Sequence, residues 1–207
     1  MRAVNGRRAQ RHPLALRLLH WLLAALLALQ VALGFAAEHA ATPALSEALF
    51  PLHFRLGVLI LCLMLLRLSV RLWLPAPGHV GGTRWGARLR ACVHGLLYAL
   101  ALVLPVSGHV IWVWMGADRT LFAGVQVPAL FVPPADETGR AIAWYVHVYG
   151  AWALSALVCL HVAAAVSRQL RQGDGFISRR MGFGALPGEA ADGGPARRAG
   201  AAPQVGE

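Results

Sequence analysis

The sequence contains no lysine: its nineteen basic residues are all arginine. Alanine and glycine are abundant beside them, so this reflects compositional bias and not a chemical requirement. Charge of either sign is scarce, at 14% of residues, which is low for a soluble domain. Only nine residues are acidic, and the net charge is +10. That excess does not signal nucleic acid, because the arginines flank apolar runs and build neither a basic face nor a reader motif. Cysteine is nearly absent. Cys62, Cys92 and Cys159 form an odd, scattered set inside or at the ends of apolar runs, with no disulfide framework and no zinc spacing. There is no C-x-x-C-H, which excludes covalently attached c-type haem.

Apolar sequence is what the chain has in quantity, at 57% of its 207 residues. Length and hydropathy together indicate one compact membrane domain with short connections. Four apolar runs predict four spanning helices, at about 14–37, 52–74, 89–115 and 142–168. The first run follows a basic segment and ends in small residues, as a signal peptide does. It is longer than the usual 7–15-residue signal core, which favours a membrane helix. A polar hinge is expected over 38–50, and P-A-P-G-H-V-G-G at 75–82 is a breaker cluster. The apolar piece 121–134 is too short to span and is expected at the membrane interface. Residues 1–13 form a basic N-terminal segment, 14–181 the membrane domain, and 182–207 a Gly/Ala/Pro-rich tail expected to be disordered. Arginine is concentrated before run one, between runs two and three, and after run four. The 1–2 connection has none before Arg55, and the 3–4 connection has Arg119 and Arg140. The positive-inside rule then places both termini in the cytoplasm. The expected fold is all-α, an integral-membrane four-helix bundle in up-down order.

The fourth run, W-Y-V-H-V-Y-G-A-W-A-L-S-A-L-V-C-L-H, is interrupted only by His147 and His161. Fourteen residues is nearly a whole number of helical turns, so both imidazoles leave one face, about 21 Å apart along the axis. One histidine therefore lies near each membrane surface. By depth, His20 matches His161 on the cytoplasmic side and His53 matches His147 on the outer side. A lone histidine in such a helix is more often a polar packing residue, but four matched in pairs suit two stacked haem b groups, each held by two neutral imidazoles from facing helices. Zinc would want three or four ligands at one depth, and neither depth supplies them. His94, one turn into the third helix, suits a haem propionate, a quinone carbonyl or simple helix packing. His109 reads as a packing residue, and His12, His39 and His79 as solvated. Gly34, Gly57, Gly95, Gly108 and Gly150 suit close approach of a helix or a flat ring.

These residues resemble the bacterial cytochrome b561 family. The matching stretches are R-L-L-H-W in the first helix, L-H-F-R-L-G with L-L-R-L-S-V-R-L in the second, and H-G-L-L-Y-A-L-A-L-V-L-P-V-S-G in the third. W-Y-V-H and L-H-V-A-A-A in the fourth, and the closing D-G-F-I-S-R-R-M, complete the likeness. The resemblance implies two noncovalent haem b groups with His20, His53, His147 and His161 as axial ligands. It implies a multi-pass protein of the bacterial inner membrane that exchanges electrons between the quinone pool and a redox partner. One activity it implies is superoxide oxidation coupled to quinone reduction. Arg119 and Arg140 fall where such proteins carry a basic outer loop, and they suit steering of a small anion toward the outer haem. His94, Arg168 and Gln169 suit contacts to a quinone head group. Two other readings are open: a haem b membrane anchor of a larger dehydrogenase or hydrogenase, and a histidine-using metal or ion transporter. The partners implied are lipid, quinone and an unidentified electron donor or acceptor, with no nucleic acid.

Overall fold

The computed structural model describes residues 13–74 and 83–172. Four helices account for most of them: α1 (Leu14–Glu38), α2 (Pro43–Trp73), α3 (Arg84–Trp114) and α4 (Thr138–Gln172). Among the described residues the only other regular features are a 3₁₀ turn at Phe122–Gly124 and a single bridge between Thr120 and Gln126. Each helix is long and apolar enough to cross a membrane. Within lipid every backbone polar group needs an internal partner, and a helix supplies one for each residue.

α1 packs on α2, α3 on α4, and α2 on α3, so sequential helices are neighbours. One end of the bundle holds the starts of α1 and α3 and the ends of α2 and α4; it is called the termini end below. The loop end carries 39–42 and 115–137. Between the two ends lies an apolar core of Leu23, Leu56, Ile60, Met64 and Ala101. The outer faces carry exposed Leu29, Val31, Phe35, Val103, Val106, Leu160 and Val162. In water such a surface would be an association hazard, whereas facing lipid it is the expected one.

The helices outrun the apolar runs. α2 starts at Pro43 and not at 52, so the expected polar hinge shrinks to 39–42. Thr42 caps it, its hydroxyl accepting from the Leu45 N–H at 3.3 Å, and Pro43 sits where a missing N–H costs nothing. Pro51 lies inside α2; a membrane helix tolerates proline where neighbouring groups make up the lost bond. α3 begins at Arg84 and not at 89, behind Thr83, whose hydroxyl accepts from the Gly86 N–H. α4 begins at Thr138, where the Asp136 carboxylate accepts from the Thr138 N–H at 2.9 Å, and it continues past 168 to 172. A 31-residue helix is about 46 Å long against about 30 Å of hydrocarbon, so hydropathy marks the span and not the helix. The segments 1–12, 75–82 and 173–207, with the basic N-terminal segment, the breaker cluster and the expected disordered tail, lie outside the described residues.

Ile60 is 1% exposed and sits at the centre of the core. Ile60→Ala should cost about 2–4 kcal/mol of stability, through the cavity it leaves. Leu72→Ala, at a position 75% exposed, should be near neutral. Thermal unfolding of both variants in one detergent checks this, and equal losses would place the core elsewhere.

Candidate functional site

At the loop end the structure brings His53 of α2 and His147 of α4 face to edge, with ring centroids 5.9 Å apart. A bond from imidazole nitrogen to a first-row metal is about 2 Å long, so two imidazoles trans on one metal have centroids about 6 Å apart. His53 and His147 would be close enough to hold one iron between them. Each ring is held in the same way. The Nδ1–H of His53 donates to the Gln30 carbonyl of α1 at 3.1 Å, and that of His147 donates to the Leu104 carbonyl of α3 at 2.9 Å. Donation through Nδ1 fixes the tautomer and turns the Nε2 lone pair into the ligand atom. The Ser107 hydroxyl lies 3.1 Å from His147 Nδ1 and donates to the same Leu104 carbonyl. Gln30 clamps His53 further, its amide donating to the His53 carbonyl at 2.9 Å and to Nε2 at 3.2 Å. A metal takes that same lone pair, so the Gln30 amide has to yield Nε2 when one binds.

Two glycines make these contacts possible. A Cβ on Gly34 would stand 2.8 Å from His53 Cε1, and one on Gly108 would stand 2.9 Å from His147 Cε1. Of the glycines singled out from sequence, these two lie under histidines. Gly57 faces the Gln30 amide, Gly150 faces Leu104, and nothing crowds Gly95.

At the termini end His161 of α4 meets His94 of α3, ring centroids 5.2 Å apart and nearly perpendicular. His94 is exposed, and its Nδ1–H donates to the Arg90 carbonyl at 2.6 Å, again leaving Nε2 for another partner. His20 packs against Trp21 on α1. Arg67 of α2 lies within electrostatic reach of His161. Its Nε donates to the Tyr98 hydroxyl at 3.1 Å, and an Nη donates to the Leu16 carbonyl at 3.4 Å. Neither Arg67 nor Tyr98 stood out in the sequence as a site residue. Among the described residues no group of three or more His, Cys, Asp or Glu side chains gathers to hold a metal ion, which leaves the histidine pairs.

The loop at 115–137 closes over α2 and α3. The Trp112 indole N–H donates to the Asp118 carbonyl at 2.8 Å, and Arg55 Nε donates to the Thr120 carbonyl at 2.9 Å. Ala123 and Gly124 take positive φ at the turn that returns the chain to Gln126. The Thr120 hydroxyl holds the Asp118 carboxyl below its ordinary pKa, with the Arg55 charge adding to the effect. Of the two arginines expected to steer an anion, Arg140 is ion-paired with Glu137, which offsets its charge. Arg119 is half-buried, its Nε donating to the Val127 carbonyl at 3.2 Å. His109 packs inside the bundle. It is buried, and Phe54 stacks with both it and Trp112.

A family model described as prokaryotic cytochrome b561 matches residues 11–184, a span that contains all four helices. Cytochrome b561 homolog 2 of Escherichia coli (strain K12) is 28% identical over 133 residues, covering 63% of this chain and 69% of that protein. A multi-pass helical bundle with facing imidazoles in its interior is the architecture a membrane b-type cytochrome requires, and the chain belongs to the prokaryotic cytochrome b561 family.

Proposed function

We propose that the protein is a dihaem cytochrome that moves electrons across the bilayer between the quinone pool and a redox partner. One haem b would be held by His53 and His147 at the loop end, the other by His20 and His161 at the termini end. The observation that carries this is the His53–His147 pair, two imidazoles from facing helices, each turned by a backbone carbonyl and seated on a glycine. Bound haem supplies a reversible one-electron iron couple. The chain's own part is to keep the imidazoles neutral and fixed, to surround them with apolar side chains, and to control approach at the two ends. The excess of arginine at the termini end supports placing that end in the cytoplasm, hence an inner-membrane protein with its loop end outside.

Superoxide is the donor we favour at the loop end. Each anion gives up one electron and leaves as dioxygen, and two such electrons with two protons reduce a quinone to the quinol. Arg119 and Arg55 are the loop-end cations that no carboxylate is seen to pair directly, so they carry the steering in place of Arg140. His94, exposed and bonded through Nδ1, suits the quinone head group, with Arg168 and Gln169 about two turns beyond His161 on α4.

Pyridine haemochrome analysis of the pure protein should approach two haem b per chain, and a value near one or zero sinks the dihaem reading. His53→Ala and His147→Ala should each remove the same haem, and His20→Ala and His161→Ala the other. Identical spectral losses from His20→Ala and His53→Ala would break the proposed pairing.

Gly34→Ala and Gly108→Ala should displace one imidazole each by steric conflict, a cost of about 1–3 kcal/mol. The loop-end haem should become high-spin or be lost, while the termini-end haem stays low-spin. Gly95→Ala, where nothing lies within 4 Å, should leave both haems intact. Electron paramagnetic resonance of the three variants distinguishes these cases, and an undisturbed spectrum in both Gly34→Ala and Gly108→Ala would contradict the seating.

Arg119→Glu should slow reduction of the loop-end haem by superoxide, with a smaller difference at high salt, because steering fades over a Debye length of about 8–10 Å. A neutral donor of similar potential should be little affected. Stopped-flow traces with both donors across a salt series make the comparison, and equal superoxide rates in wild type and variant would remove the steering role.

A further inference from the structure

The two helical hairpins repeat one register. His20 and Gly34 on α1 are fourteen residues apart, as are His94 and Gly108 on α3. His53 and Arg67 on α2 are fourteen apart, as are His147 and His161 on α4. The contacts follow the same correspondence. Gln30 stands four residues before Gly34 and Leu104 four before Gly108, and their carbonyls accept from His53 and His147 respectively. The glycine contacts match to within 0.2 Å. α1–α2 and α3–α4 are thus two copies of one structural unit. His53 and His147 occupy equivalent places, and the loop-end pair is symmetric. At the termini end His20 corresponds to His94, and His161 corresponds to Arg67. The symmetry is broken there at one position, where an arginine stands in place of a histidine.

Arg67 is held where its charge acts inward. It bonds to Tyr98 of α3 and to the Leu16 carbonyl of α1, and both partners are neutral. Among the described residues all five carboxylates lie at the loop end, together with three arginines, whereas the termini end has eight arginines and no carboxylate. Arg71 is one turn nearer the surface on the same helix, and buried Arg17 on α1 adds a charge of the same sign. Oxidising a haem iron adds a positive charge, and a fixed cation nearby disfavours that form more strongly as the surroundings become less polar.

We infer that Arg67 is a positioning residue for electron flow: its charge, in the place the repeat gives to a fourth histidine, raises the midpoint potential of the termini-end haem above that of the loop-end haem. The inference rests on the dihaem reading. A loop-end electron then passes downhill to the termini end, and the asymmetry comes from one substitution in a duplicated unit.

Potentiometric titration of the purified full-length protein tests it, on wild type, Arg67→Gln and Arg67→Lys, each also in a His53→Ala background that isolates the termini-end haem. Arg67→Gln should lower the termini-end midpoint and leave the loop-end midpoint in place, and Arg67→Lys should keep it near the wild-type value. An unmoved termini-end midpoint in Arg67→Gln, an equal fall of both midpoints, or a fall in Arg67→Lys as large as in Arg67→Gln overturns the inference. If Arg67→Gln fails to retain the termini-end haem, Arg67→Lys decides: a retained haem at the wild-type midpoint supports the role of charge, and a lowered midpoint or a lost haem refutes it. A wild-type ratio near one haem per chain brings down the dihaem reading and this inference with it. A ratio of two with unmoved midpoints removes only the role of Arg67.

Discussion

The loop-end site depends on an imidazole resting on a bare stretch of helix backbone. A histidine from one helix can reach a carbonyl of the next only where no Cβ intervenes, and Gly34 and Gly108 provide that opening. The carbonyl then takes the Nδ1 proton, which leaves Nε2 as the unprotonated nitrogen. Three properties come from one contact: the tautomer, the ring orientation and the separation of the two rings. None depends on a charged group, which suits a place where an ion would be costly to bury.

The bilayer imposes the remaining arrangement. It requires helices, and helices of 25 to 35 residues carry their polar ends into the headgroup region. Capping by Thr42, Thr83 and Asp136 fixes where those ends begin, outside the apolar runs. The loop at 115–137 is then long enough to fold back on the bundle. It is tied to α3 by Trp112 and to α2 by Arg55. The ion pair of Arg140 with Glu137 shows how such a loop sorts its cations, leaving some offset and some available.

The repeated register gives the bundle an economical origin. Two copies of a hairpin, each with a glycine seat on its first helix and a histidine on its second, generate the loop-end pair by apposition. The termini end has the same four positions filled unequally, by three histidines and an arginine. A symmetric pair at one end and an asymmetric cluster at the other make the two ends chemically different.

The sequence alone determined the number of helices and their order, because transfer to lipid is a local property that hydropathy reads directly. The resemblance carried by R-L-L-H-W, L-H-F-R-L-G and W-Y-V-H extended this to a family of b-type cytochromes. It misplaced the start of α2, since Pro51 and the polar residues before it look like a boundary when helix length is inferred from apolarity. The fourteen-residue spacing on all four helices was also present in the sequence, but only the pair on α4 stood out as two histidines. Tertiary structure decided what depends on the rotation and separation of helices: that His53 faces His147, that His161 meets His94, that Gly34 and Gly108 but not Gly95 lie under a ring, and that Arg67 reaches Tyr98 and Leu16. Depth along the membrane normal is set by each residue's position in its own helix, whereas which residues touch is set by how neighbouring helices turn toward one another, and no single helix contains that information.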